Sequence, residues 1–549
     1  MSFFNERSTL LAILRDLAYT GCMASWRDVT SLYQIYPRSF QDFNGDGVGD
    51  LNGITSRLDY MRFLGIDAIW LSPFFTSPMT DLGYDVADYC AVDPLFGTLD
   101  DFRLLLDQAH ERDIKVMIDL VACHTSDQHP WFQAARSSRD NPYRDWYVWR
   151  DPQSDGTEPN NWRSISGGSS WQFDQQTGQY YLHSFLPSQP DLNWDNPAVR
   201  QAIKEVGRFW FNLGVDGIRV DAIWGISKDP YYGNDSPNSQ FDGDPTAYGA
   251  YIHNHCKHGP YFTEYLHELA SICDEYDDRQ MVYEFYPDER LGDIWQQYGA
   301  VLHAHPNASA FFMEHRQNEW HAEHVAQKIS RYAELSQDTT AFFCLGNHDQ
   351  PRIASRLGEP RARALAFLNL CMPGISVVYY GDEIGMEDSP LTDTFLQKAH
   401  LPHGQLPDSR LSARTPMQWT SGKFAGFASV PPWLPIHRNR RTINVLTEAK
   451  DLSSLLHMHR QLLHLRRASP LLRDGTLEPF PTYNGFVVAF WRRYQQQQAV
   501  VAVNFADSPQ TVSLPADATT LLAATSHTVQ YGSGTLVLPG YGGALVGST

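Results

Sequence analysis

The segment Gly214 to Trp224, GVDGIRVDAIW, sets a guanidinium and a carboxylate two residues apart inside an apolar run. Val215, Gly217, Ile218, Val220 and Ala222 are what a fully buried parallel strand is built from. Side chains alternate along a strand, so Arg219 and Asp221 emerge on one face. A cation held against a buried carboxylate favours its ionised form, and an ionised carboxylate at a strand end is an attacking group. Read alone, the pair fits a packing ion pair equally well.

Other segments close an apolar run with polar residues in the same way. IDLVACHTS supplies Asp119 and His124, VYEFYP supplies Glu284, and LGNHDQPRI supplies His348 and Asp349. Paired carboxylates, with no serine nucleophile elbow and no phosphate-binding glycine loop near them, suit acid and nucleophile roles at an acetal carbon. Asp119, His124 and His348, each taken singly, also read as structural. These positions form no HxH or HExxH pair, so a divalent-metal hydrolase has no support from them.

Something must carry these residues to one place. Apolar runs at Ser31–Pro37, Asp67–Ser72, Ile114–Val121, 215–222, Met281–Phe285, Ser309–Met313, Ala341–Gly346 and Ile375–Tyr380 alternate with amphipathic stretches such as Thr98–Arg112 and Pro197–Leu213. Eight such strands alternating with helices predict a (β/α)8 TIM barrel, whose active sites lie where the strands end. The long, Trp- and Gly-rich gap after the third strand predicts a small β-rich subdomain at 125–180. Short strands with turn residues after Arg467 predict a C-terminal antiparallel β-sandwich at 469–549. The barrel then takes 23–124 and 181–468, and residues 1–22 read as a non-essential extension, with a short docked helix as the alternative.

The loop DFNGDGVGD at 42–50 offers oxygen side chains at Asp42, Asn44, Asp46 and Asp50, with glycines for a tight turn. That is a hard-cation pattern favouring Ca2+ or Mg2+. Gly53 stands where an EF-hand has its bidentate acid, so the reading is a single structural ion, with an empty turn as the alternative. The chain's 43 basic and 63 acidic residues give a net charge of −20, which argues against nucleic acid or an anionic membrane as partner. Fifteen Trp and 27 Tyr suit stacking on sugar rings as well as a large core. Seven scattered cysteines without a CxxC pair, and no apolar run of membrane-spanning length, point to a cytoplasmic protein with reduced thiols.

IDLVACHTS, GIRVDAIW, VYEFYP and LGNHDQPRI occur in that order, and together they resemble the four conserved regions of the alpha-amylase family, glycoside hydrolase family 13. QPDLN at 189–193 and ARTPMQW at 413–419 resemble its oligosaccharide-acting alpha-glucosidase (oligo-1,6-glucosidase) branch. The resemblance implies Asp221 as nucleophile, Glu284 as general acid/base and Asp349 as the acid that stabilises the transition state. It implies Tyr84, Asp85, His124, Arg219, His348 and Arg410 as residues binding the non-reducing glucose. Asp42, Asn44, Asp46, the Val48 carbonyl and Asp50 match the branch's metal loop. Three positions depart from the pattern: Cys123 replaces Asn before His124, Tyr283 replaces Gly before Glu284 and is expected to crowd it, and Leu411 replaces Asp after Arg410. Ala222 after the nucleophile implies a leaning to α-1,4 over α-1,6 linkages.

The resulting expectation is a retaining α-glucosidase releasing glucose from short, maltose-like α-glucosides. A transglucosylase or sucrose isomerase would use the same triad, and a non-catalytic binding or transporter-accessory relative would have lost it.

Overall fold

The structure is a computed structural model and describes residues 25–312, 320–335, 341–391 and 408–548. The extension expected at 1–22, and Met313 at the end of the sixth predicted strand, lie outside the described residues.

Eight parallel strands close into a barrel: β1 (Ser31–Ile35), β2 (Ala68–Leu71), β3 (Lys115–Val121), β4 (Gly217–Asp221), β5 (Gln280–Tyr283), β6 (Ala308–Phe312), β7 (Phe342–Cys344) and β8 (Ile375–Tyr379). Each pairs with its neighbours in sequence, and β8 closes on β1. Every residue of β3, β4 and β6 is buried, which is why these strands read as continuous apolar runs and not as alternation. The parallel register sets Asp119 of β3 beside Arg219 of β4, with Val282 of β5 on the other side. The charged layer is therefore fixed by strand pairing before any side chain packs. At the opposite end of β4 the indole of Trp26 donates to the Asp216 carbonyl at 2.8 Å. A Cβ on Gly217 would come within 2.8 Å of that indole and 2.9 Å of Met117, so glycine is the residue that fits.

The helices between strands carry their own boundaries. Helix α1 (Leu99–His110) starts with a capping box between Thr98 and Asp101 and buries Phe102, Leu105, Leu106 and Ala109. Helix α2 (Pro197–Leu213) starts with the Asn196 side chain accepting from Ala198 N–H and with proline in its first turn. It stops at Gly214, whose φ of 108° turns the chain straight back into β4.

Between β3 and α2 the chain builds a three-stranded antiparallel sheet from Trp149–Arg150, Gln179–Leu182 and Trp171–Asp174, in that spatial order. A second excursion follows β4, largely irregular and held by a two-stranded pairing of Ser236–Pro237 with Tyr251–Ile252. It docks on the inserted segment, where the Trp162 indole donates to the Gly233 carbonyl at 2.8 Å and stacks on Tyr232. After the barrel, a five-stranded and a three-stranded antiparallel sheet enclose a core that includes Val487, Val500, Val512, Leu536, Leu538 and Val546. That is the expected sandwich. Its strands Thr520–Ala524 and Gly543–Gly547 are additions to the sequence reading, short and Ala- or Gly-containing and so without a clear period-two signal.

Candidate active site

Arg219 is fully buried and is the centre of the cluster. Its Nη1 donates to Asp221 Oδ1 at 2.6 Å and to Asp119 Oδ1, and its Nη2 lies 2.7 Å from Glu284 Oε1. One guanidinium thus serves three carboxylates. Asp119 also accepts from the Trp70 indole at 3.0 Å and the Tyr84 hydroxyl at 3.3 Å, which locks it beneath the cluster. Glu284 follows β5 directly; its Oε2 accepts from Ala222 N–H at 3.1 Å and its Oε1 from the Tyr286 hydroxyl at 2.9 Å. Ala222 reaches that bond by adopting φ 45° and ψ 45°, a left-handed conformation that only a few per cent of non-glycine residues take.

Asp349, after β7, faces the cluster from the other side. Its Oδ1 accepts from Arg410 at 2.8 Å and Arg414 at 2.9 Å, and its Oδ2 lies 3.4 Å from His348 Nε2. Gln34 donates to His348 Nδ1 at 2.8 Å, so the imidazole proton sits on Nε2, toward Asp349. The Tyr84 ring stacks on His348 at 5.2 Å with an interplanar angle of 3°. Asp349 and Arg410 are the most open members, at 26% and 23% side-chain exposure against 10% for Asp221 and 6% for Glu284. A ligand therefore meets Asp349 and Arg410 first and reaches Asp221 at depth.

The electrostatics separate these carboxylates. Burial raises Asp349, but His348, Arg410 and Arg414 together outweigh it and hold the carboxyl well below its ordinary range. Burial also raises Asp221, with Glu284 and Asp119 adding repulsion, and the shared Arg219 does not overcome them. The expectation from sequence that Arg219 holds Asp221 ionised is therefore reversed in direction, first by burial and then by the two other acids that share the guanidinium. Asp119 is pushed up to about 6, mainly by burial. Burial drives His348 well below its ordinary value despite Asp349, so it is neutral.

Of the residues expected from sequence, Tyr84, Arg219, Asp221, Glu284, His348, Asp349 and Arg410 are brought together. His124 is buried nearby with both ring nitrogens engaged, Nδ1 2.9 Å from Cys123 Sγ and Nε2 3.0 Å from the Tyr84 carbonyl. Asp85 is not brought to the cluster. Its oxygens accept from the Ser77 hydroxyl and the N–H groups of Thr80 and Asp81, so it shapes the loop. Asp81 takes the place toward the site: its Oδ1 lies 3.6 Å from Arg410 Nη1 and has no hydrogen-bond partner among the described residues, and its Oδ2 accepts from Gln189. Nothing in the spacing of TDLGYD distinguishes the two acids. Arg414, which is not among the residues expected from sequence, binds Asp349 beside Arg410. Tyr283 does not crowd Glu284, because strand alternation sends its hydroxyl outward to the Leu266 carbonyl at 2.6 Å.

In the loop 42–50 the oxygens are turned onto local backbone. Asp42 accepts from Gly45 and Gly47 N–H, Asp46 from Val48 N–H, and Asp50 from Phe43 and Gly53 N–H. Burial raises Asp50, with Asp42 adding repulsion. Two buried carboxylates in a glycine-rich oxygen loop are a donor set that fits a hard cation. Among the described residues, the group of His, Cys, Asp or Glu whose ligand atoms all lie within 4.8 Å of one another is elsewhere, at Asp235, His253 and Cys256.

A parallel eight-stranded barrel with three acids and an arginine on its strand ends is the architecture of a glycosidic-bond enzyme. Residues 34–475 match the alpha amylase catalytic domain and 481–545 match a domain of unknown function, and the chain belongs to the alpha-amylase family. Within that family it carries the machinery for processing α-glucosides and falls with the oligo-1,6-glucosidase and trehalose-hydrolase branch. A probable alpha-glucosidase of Rhizobium meliloti is 40% identical over 509 residues, 89% of this chain and 91% of that protein. The alpha-glucosyl transfer enzyme XgtA superposes with a TM-score of 0.87 at 35% identity, covering 96% of this chain and 100% of the other. The trehalulose synthase MutB of Pseudomonas mesoacidophila MX-45 gives 0.83 at 34% identity, covering 95% and 99%. No helix among the described residues is long and apolar enough to cross a membrane.

Proposed function

We propose that this enzyme forms a covalent α-glucosyl intermediate and passes the glucosyl unit chiefly to a sugar hydroxyl, with water as the competing acceptor. Asp221 attacks the anomeric carbon while Glu284 protonates the leaving oxygen; Glu284 then deprotonates the acceptor, so the α configuration is retained. Asp349, held as an anion by Arg410 and Arg414, grips ring hydroxyls more tightly as the ring flattens. Tyr84 and His348 form one wall for the glucose. The observation that carries transfer over hydrolysis is the likeness to XgtA along nearly the whole of both chains. Hydrolysis of maltose-like α-1,4 substrates is the second reading, favoured by the 40% identity to the Rhizobium protein and by the small Ala222.

Chromatography of the products from maltose, isomaltose and sucrose, each at low and high concentration, tests the choice. Transfer predicts that new oligosaccharides or a sucrose isomer dominate as acceptor concentration rises. Glucose as the main product at every concentration would establish the hydrolase instead.

The pH profile follows from the raised acids. A nucleophile whose carboxyl is pushed up is protonated, and inactive, at higher pH than an ordinary aspartate. The acid limb of kcat/KM is expected to fall off above the usual carboxylate range. Because Asp119 repels Asp221, Asp119→Asn should move that limb to lower pH in the variant's residual activity. A limb that moves up, or not at all, would contradict the shared-guanidinium account.

For the loop at 42–50 we favour one structural Ca2+ or Mg2+ on Asp42, Asn44, Asp46, the Val48 carbonyl and Asp50. A calcium-selective chelator should then lower Tm by about 2–4 °C or more while kcat, measured well below that Tm, stays within about twofold. Loss of turnover with Tm unchanged would place the ion in the chemistry.

A further inference from the structure

The excursion after β4 leaves and rejoins the turn that follows Asp221: His258 N–H donates to the Trp224 carbonyl at 3.3 Å, and Gly259 N–H to the Ser227 carbonyl at 2.9 Å. Inside it, Asp235, His253 and Cys256 are buried at 2%, 0% and 8% exposure, and Cys256 packs in one cluster with Val148, Trp162, Trp171 and Leu182. We propose that these three side chains form a binding site for a borderline-soft divalent cation of the Zn2+ class, which pins this excursion against the inserted sheet.

The argument starts from His253. Its Nε2 is 3.0 Å from the Tyr248 carbonyl, which can only accept, so Nε2 carries a proton and Nδ1 is the nitrogen free to bind a metal. Its Nδ1 faces Asp235 Oδ2 at 3.2 Å, a contact that a proton on Nδ1 closes in the absence of metal and that a bound cation would close in its place. An outer N–H anchored on a backbone carbonyl is what orients a metal-binding histidine, and the Tyr248 ring, stacked at 3.7 Å and 20°, fixes the imidazole plane. A separation of 3.2 Å between nitrogen and oxygen also matches two corners of a tetrahedron with bonds of about 2.0 Å.

Asp235 is positioned independently of any ion. Its other oxygen accepts from His255 N–H at 2.8 Å, and its own N–H donates to Asn161 of the inserted segment at 2.8 Å. Among the described residues no Lys or Arg pairs with it; the neighbouring Lys257 lies toward Asp288, at 3.8 Å. Cys256 supplies the sulfur, its Sγ within 4.8 Å of both other ligand atoms. One carboxylate, one thiolate and one neutral imidazole around a divalent ion sum to zero charge, which suits a site removed from water. Nitrogen and sulfur donors select Zn2+ over Ca2+ or Mg2+, so this site is chemically distinct from the oxygen loop at 42–50.

The test uses the full-length protein stripped of metal and reloaded with Zn2+ or Co2+. The expected result is stoichiometric, tightly held Zn2+ whose X-ray absorption fine structure contains a sulfur neighbour, and a sulfur-to-cobalt charge-transfer band with Co2+. The band should vanish in Cys256→Ser and persist in Asp46→Asn. Zinc bound only through oxygen and nitrogen, no cobalt–sulfur band in the wild type, or a band undiminished in a folded Cys256→Ser protein would overturn the proposal. Both spectroscopic readouts on the wild type stand even if Cys256→Ser fails to fold. Neither depends on which acceptor the enzyme prefers.

Discussion

Replacing Asp221 with Asn should lower kcat on any α-glucoside by at least about 10⁴-fold, because the amide neither attacks an anomeric carbon nor leaves from one. The fold should survive. Asp221 is only one of three acids on Arg219, and the amide oxygen can still accept from Nη1 at the 2.6 Å position. Thermal melting of the variant checks this directly: an unchanged transition with lost turnover marks a chemical role, whereas a protein that melts early marks a structural one. Unchanged activity would remove Asp221 from the mechanism.

Glu284→Gln is expected to separate the two halves of the reaction. With maltose the loss should be about 10²–10⁴-fold, the usual worth of a positioned general acid. With α-glucosyl fluoride, whose leaving group needs no proton, glucosylation should stay fast while deglycosylation slows, since glutamine cannot activate the acceptor. A burst of fluoride followed by slow turnover is the expected trace. Absence of the burst, with glucosylation by the fluoride lost as far as glucosylation by maltose, would assign Glu284 to binding. The fold also predicts a smaller side effect, because Oε2 holds the N–H of Ala222 in its left-handed conformation, and that amide would exchange a carboxyl acceptor for an amide oxygen.

Much of this arrangement was legible in the sequence for definite reasons. β4 announced itself because parallel barrel strands are buried on both faces, and an RxD inside such a run must emerge on one side. α1 and α2 were readable from their amphipathic spacing, and the structure stops α2 with the turn Gly214 makes. What stayed hidden depends on loops and on sharing. Asp81 and Asp85 sit four residues apart in one loop, and only its path turns one toward Arg410 and the other onto Ser77. That Arg219 divides its charge among Asp119, Asp221 and Glu284 needs three strands in register. The excursion carrying Asp235, His253 and Cys256 has too little regular structure to leave a periodic trace. The left-handed Ala222 leaves none either, since alanine gives no sign of positive φ.

The central claim is that Asp221 carries the glucosyl unit. It is tested most directly by peptide mass mapping of the Glu284→Gln protein quenched during reaction with α-glucosyl fluoride. The account predicts a single glucosyl adduct on the peptide containing Asp221. An adduct on Asp349 or Asp119, or turnover through the burst with no adduct on any peptide, would contradict it.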